Sequence, residues 1–463
     1  MANIKYLVIA GLVAAGVASA PLMISKSIDS KIEENRVVLE KNGFKQEILS
    51  KIGYFESKRT FNLEVIDAQK ARDFLLEKLV EKNAQYKIFA QSLKSGSKED
   101  INDAFNGLSF KGEMTNSNLI LGDTKVSLTL DKLSTSINKE LSDNQEVSKV
   151  ILPLLGKGVL AIDMTIGSDE KLKDLKFKDI KEQIKIEGTA LDIDTANQTL
   201  TLNERSGIIN GTLGVAKQSL SVTADMFVFK SQLENFKYNF TYKDELNNKG
   251  DIEIGKYAFE MADEYSNAKF SVGAIKANSS VDDIQKDLQL KGDYTISDIA
   301  FMNETDDIKL DKLLFKLFLR GLNSDTMKKL QNDYNMMALG TGAPSDKVII
   351  EDFVALINQG FKLDFDVTLK GLSGELNLKD VTIETKFEMA KNTYDDKQSP
   401  LAIINLLDVY AKVKIHKDDK NTLEALSLAS SQDFANGKVE GDFMIYELVL
   451  KNGTMSINGK AMQ

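Results

Sequence analysis

Histidine is the most versatile acid–base side chain near neutral pH, and this chain has one, His416. It stands among Lys412, Lys414 and Lys417, on the polar positions of the alternating segment AKVKIH, and so reads as a solvated residue with no role. One imidazole cannot build a His-rich metal site. A Ser/His/Asp triad has no visible nucleophile either, because the G-x-S-x-G elbow is missing. With no cysteine, thiolate catalysis, Cys-ligated metals and disulfides are excluded.

Carboxylates come next. The pairs Asp282-Asp283, Asp306-Asp307, Asp395-Asp396 and Asp418-Asp419 could attract hard cations, but none follows the regular oxygen-ligand spacing of an EF-hand loop, and they read as solvated turns. Glycoside cleavage by paired carboxylates would need a sugar-lined cleft, and the chain has no Trp to stack on a sugar. Gly340-Thr341-Gly342-Ala343-Pro344 is Gly-rich but lacks the Gly-Lys-Ser/Thr that completes a phosphate loop, so it reads as a connection. The aromatic cluster Tyr54, Phe55 and Phe61 could dock a partner, though aromatics at this density more often fill a core. The expectation is a protein that is not an enzyme and carries no cofactor and no metal.

Charge narrows the partners. A net charge of −10 offers no basic excess for a polyanion, so nucleic acid is not expected. The N-terminus points elsewhere, because Tyr6 to Ile24, with Leu12 and Val13 at its middle, is an uncharged and mostly apolar run. At ~1.5 Å per residue such a helix would extend roughly 28 Å, close to the hydrocarbon thickness of a bilayer. Ala18-Ser19-Ala20 has the small-residue pattern of a signal-peptidase site, but Pro21 directly after it suits an uncleaved anchor. Lysines and arginines are denser after the span than before it, which would place the body in the cytoplasm, whereas an export-like segment at the extreme N-terminus favours the outside.

The elements behind the anchor follow from periodicity. Residues 1–25 read as the membrane anchor, 26–50 as a charged stalk and 51–463 as one β-rich body. Helices are expected at about 67–94, with Asp67 as cap, at 142–155, starting from Ser142, and at 324–358; a short one follows Ser399-Pro400. Elsewhere short β-type runs alternate with Gly, Asn and Asp, and Asn247 to Gly250 reads as a hairpin turn. Asp311 to Arg320 fits strand and helix alike, so periodicity leaves the choice open. The clearest strand holds Phe361, Leu363, Phe365, Val367 and Leu369 on one face, with polar residues between them. A turn at Gly371 to Gly374 follows, then a register change near Lys379 and Asp380. The helix near 346, with Ile349, Phe353, Leu356 and Ile357 on one side, is expected to cover that face. The fold class is therefore α+β and β-rich: an elongated, twisted, mostly antiparallel sheet with amphipathic helices packed on it, behind one N-terminal transmembrane helix.

The succession LFLRGLNSDTMKKLQNDY, DFVALINQGFKLDFDVTLKGLSGELNLKDVTI and LVLKNGTMSINGKAM, with the aromatic segment KIGYFESKRTFNLEV behind the apolar span, resembles the YdgA-like family of Gram-negative envelope proteins. The resemblance implies strand at Asp311 to Arg320 and a single-pass inner-membrane protein with its body in the periplasm; the family has no assigned molecular activity. Two functions are expected from these features. The first is a membrane-anchored binding or scaffold protein with an envelope protein as partner. The alternative is a carrier of lipid or another apolar ligand, held on the face of Phe361, Leu363, Phe365, Val367 and Leu369.

Overall fold

A computed structural model describes residues 28–52, 55–82, 98–117, 122–143, 145–169, 171–186, 188–338, 345–374, 377–395, 397, 401–419 and 437–461. The apolar run of Tyr6, Leu12, Val13 and Ile24 lies outside them, and among the described residues no helix is long and apolar enough to cross a membrane. Tertiary contacts divide the chain into two compact units, Met1–Asn203 and Glu204–Gln463, where the sequence suggested one body from residue 51.

The first unit contains α1 (Ile28–Lys41), β1 (Phe44–Ile52), β2 (Glu56–Val65), α2 (Ala68–Lys82), α3 (Lys98–Phe105), β3 (Ser109–Ser117), β4 (Thr124–Lys132), α4 (Thr135–Asp143), α5 (Gln145–Gly156), β5 (Ala161–Ile166), β6 (Leu172–Phe177), β7 (Ile180–Ile186) and most of β8 (Thr189–Arg205). Strands β1 to β6 pair antiparallel in chain order, and β6 and β7 both pair with β8. Strict alternation in β2, β3 and β4 sends Phe61, Leu63, Phe110, Met114, Val126 and Leu130 into one core. Helix α2 closes it with Ala68, Ala71 and Phe74, and Asp67 caps that helix as its sequence suggests, accepting from the Lys70 N–H at 3.1 Å.

Two expectations need correction here. The segment read as a stalk belongs to this unit, since Leu39 of α1 and Phe44 of β1 are 1 % and 2 % exposed; their apolar side chains are too costly to leave in water. Ser142 does not start a helix but lies inside α4, where its hydroxyl donates to the Asn138 carbonyl, while the fully buried Ser134 caps α4 through the Ile137 N–H.

The second unit holds β9 (Ile208–Ala224), β10 (Phe227–Asp244), β11 (Asn247–Ile254), β12 (Lys256–Asp263), β13 (Asn267–Ile284), β14 (Asp287–Met302), β15 (Asp307–Asn323), α6 (Ser324–Ala338), α7 (Asp346–Asn358), β16 (Phe361–Ser373), β17 (Leu378–Met389), α8 (Leu401–Leu406), β18 (Leu407–His416), β19 (Lys438–Glu440), β20 (Phe443–Lys451), β21 (Thr454–Ile457) and β22 (Lys460–Ala461). All its ladders are antiparallel, and many strands exceed fifteen residues. The stretch Asp311 to Arg320 is strand, within β15. The hairpin expected at Asn247 to Gly250 turns earlier: the Asp244 carboxylate accepts from the Leu246 N–H and the Asn247 side chain, so Asn247 already begins β11.

These long strands are interrupted along one line. The pairings of β9 to β17 skip Asn235, Gly273, Asp298, Asp311, Gly371 and Lys379 in turn, and Gly255 separates β11 from β12 at the same level. Asn235, Asp298 and Gly371 have positive φ values of 53°, 54° and 65°, which withdraws them from the pleat. The apolar residues change parity at this crease: Leu313 to Leu319 are odd-numbered in β15, whereas Leu310 and Ile308 are even. The register change expected near Lys379 is the end of this line.

Candidate functional site: an apolar band across the second unit

Beyond the crease the ladder lines up apolar residues on one face, most completely in two rows. Following the pairing from strand to strand gives the row Leu213, Tyr238, Ile252, Ala277, Tyr294, Phe315, Val367, Ile383, Val413 and Tyr446, which crosses ten strands. A neighbouring row reads Ile254, Ile275, Ile296, Leu313, Leu369, Val381, Ile415 and Met444. On the other side Leu317, Phe365 and Thr385 form part of a third row, and Val281, Leu290, Leu319, Leu363, Phe387 and Val409 a fourth. Aromatic side chains knit adjacent strands, with Tyr294 and Phe315 at 5.4 Å between centroids and Phe315 edge-on to Phe365 at 5.0 Å.

Leu363, Phe365, Val367 and Leu369 thus supply one residue to each row. All four are half-buried, as are their row neighbours Phe315, Ile383 and Val413, while Leu213 and Tyr294 are 37 % and 38 % exposed. Phe361 stands apart. It packs against the small cluster of Leu246, Leu288 and Leu322, together with Met327 of α6, Leu356 of α7 and Val281, Leu290 and Leu319 at the end of the fourth row.

That cluster corrects the expected cover. Helix α7 buries Ile357 and packs Leu356 at the strand ends, but leaves Ile350 and Phe353 47 % and 55 % exposed. Lys329 of α6 holds Asp352 of α7 at 2.7 Å, which fixes the two helices to each other. Among the described residues, the buried core of the first unit unites twenty side chains, whereas the cluster beneath these helices unites three. At ~4.8 Å between strands and ~6.8 Å between same-face residues, the ten-strand row extends roughly 43 Å, and the four rows on β15 and β16 span roughly 20 Å.

The opposite face is more polar, although β15 also places Leu314 and Phe318 on it. One row runs Asp293, Lys316, Asp366, Glu384, Lys412 and Glu447. Partial burial, with Glu384 directly opposite, pushes the Asp366 carboxyl above its ordinary range. The two faces differ sharply in what they offer a ligand.

The other residues marked by their chemistry are structural. His416 ends β18 with its ring edge-on to Phe443 at 5.8 Å, and its Nδ1 accepts from the Asp418 N–H at 3.3 Å, so it is partly covered and not fully solvated as its sequence context suggested. Asp419 is likewise no solvated turn residue: it is 2 % exposed and accepts from the Lys379 and Asp380 N–H groups at 2.8 and 3.2 Å. These amides lie where the ladder breaks, and the buried carboxylate replaces the missing strand partner. Asp306 and Asp283 accept or cap within tight turns, and hydrogen bonds from Asn303 and Thr305 hold the Asp306 carboxyl below its ordinary range. Phe61 is core, Phe55 is 66 % exposed, and Tyr54, Asp396 and the 340–344 segment lie outside the described residues. Among the described residues no group of three or more acidic or histidine side chains could hold a metal ion.

Sequence reasoning found the β16 member of each row and missed the other strands, because register between distant segments leaves no local mark. The signal that was available is the recurring parity of Val, Ile, Leu and aromatic residues in β13 to β18. Searches with this chain match no family model, no curated protein and no solved structure.

Proposed function

We propose that this protein binds and carries the acyl chains of lipids along the apolar band of its second unit. One observation carries the reading: one apolar row crosses ten strands, and most of its side chains stay partly accessible, with Leu213 and Tyr294 37 % and 38 % exposed, while the helices α6 and α7 pack at the strand ends. A contiguous apolar face that stays partly accessible marks an interaction site. A protein partner is the competing occupant. Specific protein interfaces intersperse polar groups that set the register, whereas here the backbone is spent in the ladder and the polar groups of the rows are isolated hydroxyls, those of Tyr238, Tyr294, Tyr446, Ser279 and Thr385. An unbranched hydrocarbon asks for nothing more.

The setting belongs to the same proposal. The uncharged run from Tyr6 to Ile24 and the order of segments shared with the YdgA-like family support a single-pass inner-membrane anchor and a periplasmic body, where a carrier of apolar ligands would meet its cargo at the bilayer surface. Purified from membranes, the full-length protein is expected to release acyl lipids on organic extraction at close to one or more per chain, and the Phe365→Asp, Val367→Asp double variant to release far less. Recovery of the folded protein with no lipid in either form would exclude a carrier.

A further inference from the structure

On the other side of the crease the second unit holds a concavity of about 460 Å³ on the polar face of β10, β12, β13, β14 and β15. The ladder explains its shape. One row consists of Gln232, Ala258, Ser271, Ala300 and Lys309, so three short side chains lie in register across three strands and form a floor. The next row, Lys230, Glu260, Lys269, Met302 and Asp307, is made of long side chains and stands as a wall, while Lys256 closes the side nearest the crease.

Charge is unevenly balanced within it. Glu260 is shared between Lys230 and Lys269, each at 3.2 Å, and Asp307 meets Lys309 at 3.0 Å. Lys256 meets no carboxylate at ion-pair distance among the described residues. Four lysines thus face two carboxylates in a chain whose net charge is −10, and the floor between them is Ala258, Ser271 and Ala300.

We propose that this concavity binds an anionic amphiphile: a phosphate or carboxylate held by Lys230, Lys256 and Lys269, with a short apolar body lying on Ala258, Ala300 and Met302. An ammonium donates up to three hydrogen bonds to an anionic oxygen, and a positive excess in a concave, partly apolar site raises the local concentration of such ligands. The site lies on the polar face and is independent of the apolar band.

The 14 methionines give a direct readout, because the Met302 methyl lies in the wall of the site. Full-length protein in phosphatidylcholine nanodiscs, labelled at the methionine methyls, would be titrated with hexyl phosphate, hexanol and inorganic phosphate. Hexyl phosphate is expected to shift the Met302 resonance saturably, to bind more weakly as salt rises, and to lose about tenfold in affinity in Lys230→Gln and again in Lys256→Gln. Hexanol and inorganic phosphate are each expected to bind at least tenfold more weakly. No saturable shift at Met302 would overturn the proposal, as would hexanol binding as tightly as hexyl phosphate. Inorganic phosphate matching hexyl phosphate would overturn the amphiphile and leave a plain anion site. Lys347→Gln, on the exposed start of α7, should change nothing; an equal loss there would show that only overall charge matters.

Discussion

Single residues explain how an amphipathic sheet with a break across it stays folded, and two of them give direct tests. Asp419 satisfies two backbone donors at the crease, so Asp419→Ala leaves both amides without their buried acceptor and should cost about 1–3 kcal/mol in urea unfolding. Asp366 acts in the opposite sense. Its carboxyl is raised by partial burial and by Glu384, so the folded protein holds a proton there at pH values where the unfolded chain has released it. Stability therefore falls as pH rises from the ordinary value of 3.8 through the higher folded value, and the full penalty is present at neutral pH. Asp366→Asn should raise the urea midpoint at pH 7 and lose that advantage near pH 3; a variant less stable at pH 7 would contradict the assignment. The acidic pairs were visible in the sequence, but their roles were not. Asp418 and Asp419 are adjacent, yet one meets Lys379 at the surface and the other is buried beneath a strand 39 and 40 residues away.

At the scale of elements, local patterns gave most strands and helices, since alternation and caps are short-range signals. Asp67 caps α2 as expected, and Asn323 caps α6, accepting from the Asp325 and Thr326 N–H groups. What an amphipathic helix covers is a different question. Helix α7 has apolar residues on one side, as the sheet face requires, but it buries Ile357 and packs Leu356 at the strand ends while Ile350 and Phe353 stay exposed. Ile357→Ala should therefore cost about 2–4 kcal/mol, while Phe353→Ser should stay within about 0.5 kcal/mol by chemical denaturation. A large loss from Phe353→Ser would mean that the helix does lie on the sheet. The crease is testable in the same way. Gly371 has a φ of 65°, and a Cβ there would sit 2.0 Å from the Asp311 carboxylate, so Gly371→Ala should destabilise by about 1–3 kcal/mol. The neighbouring β17 sequence betrayed this line as a register change, although not that it crosses several strands.

For the molecule as a whole, the two units use the same strand grammar toward different ends. The first folds its alternating strands around a closed core with α2; the second spends the same alternation on a band that its helices leave accessible. Sequence identified the apolar face of β16 as a place for a ligand, but only the pairing of ten strands shows that the residues continue one another. The central claim is that acyl chains lie on that face and not on the more polar one. Photoreactive residues placed at Val367 and at Thr368, adjacent in sequence and on opposite faces of β16, test it in cells. The account predicts that illumination attaches lipid to the protein from position 367 and not from 368. Equal lipid attachment at both positions, or protein adducts alone at 367, would contradict it.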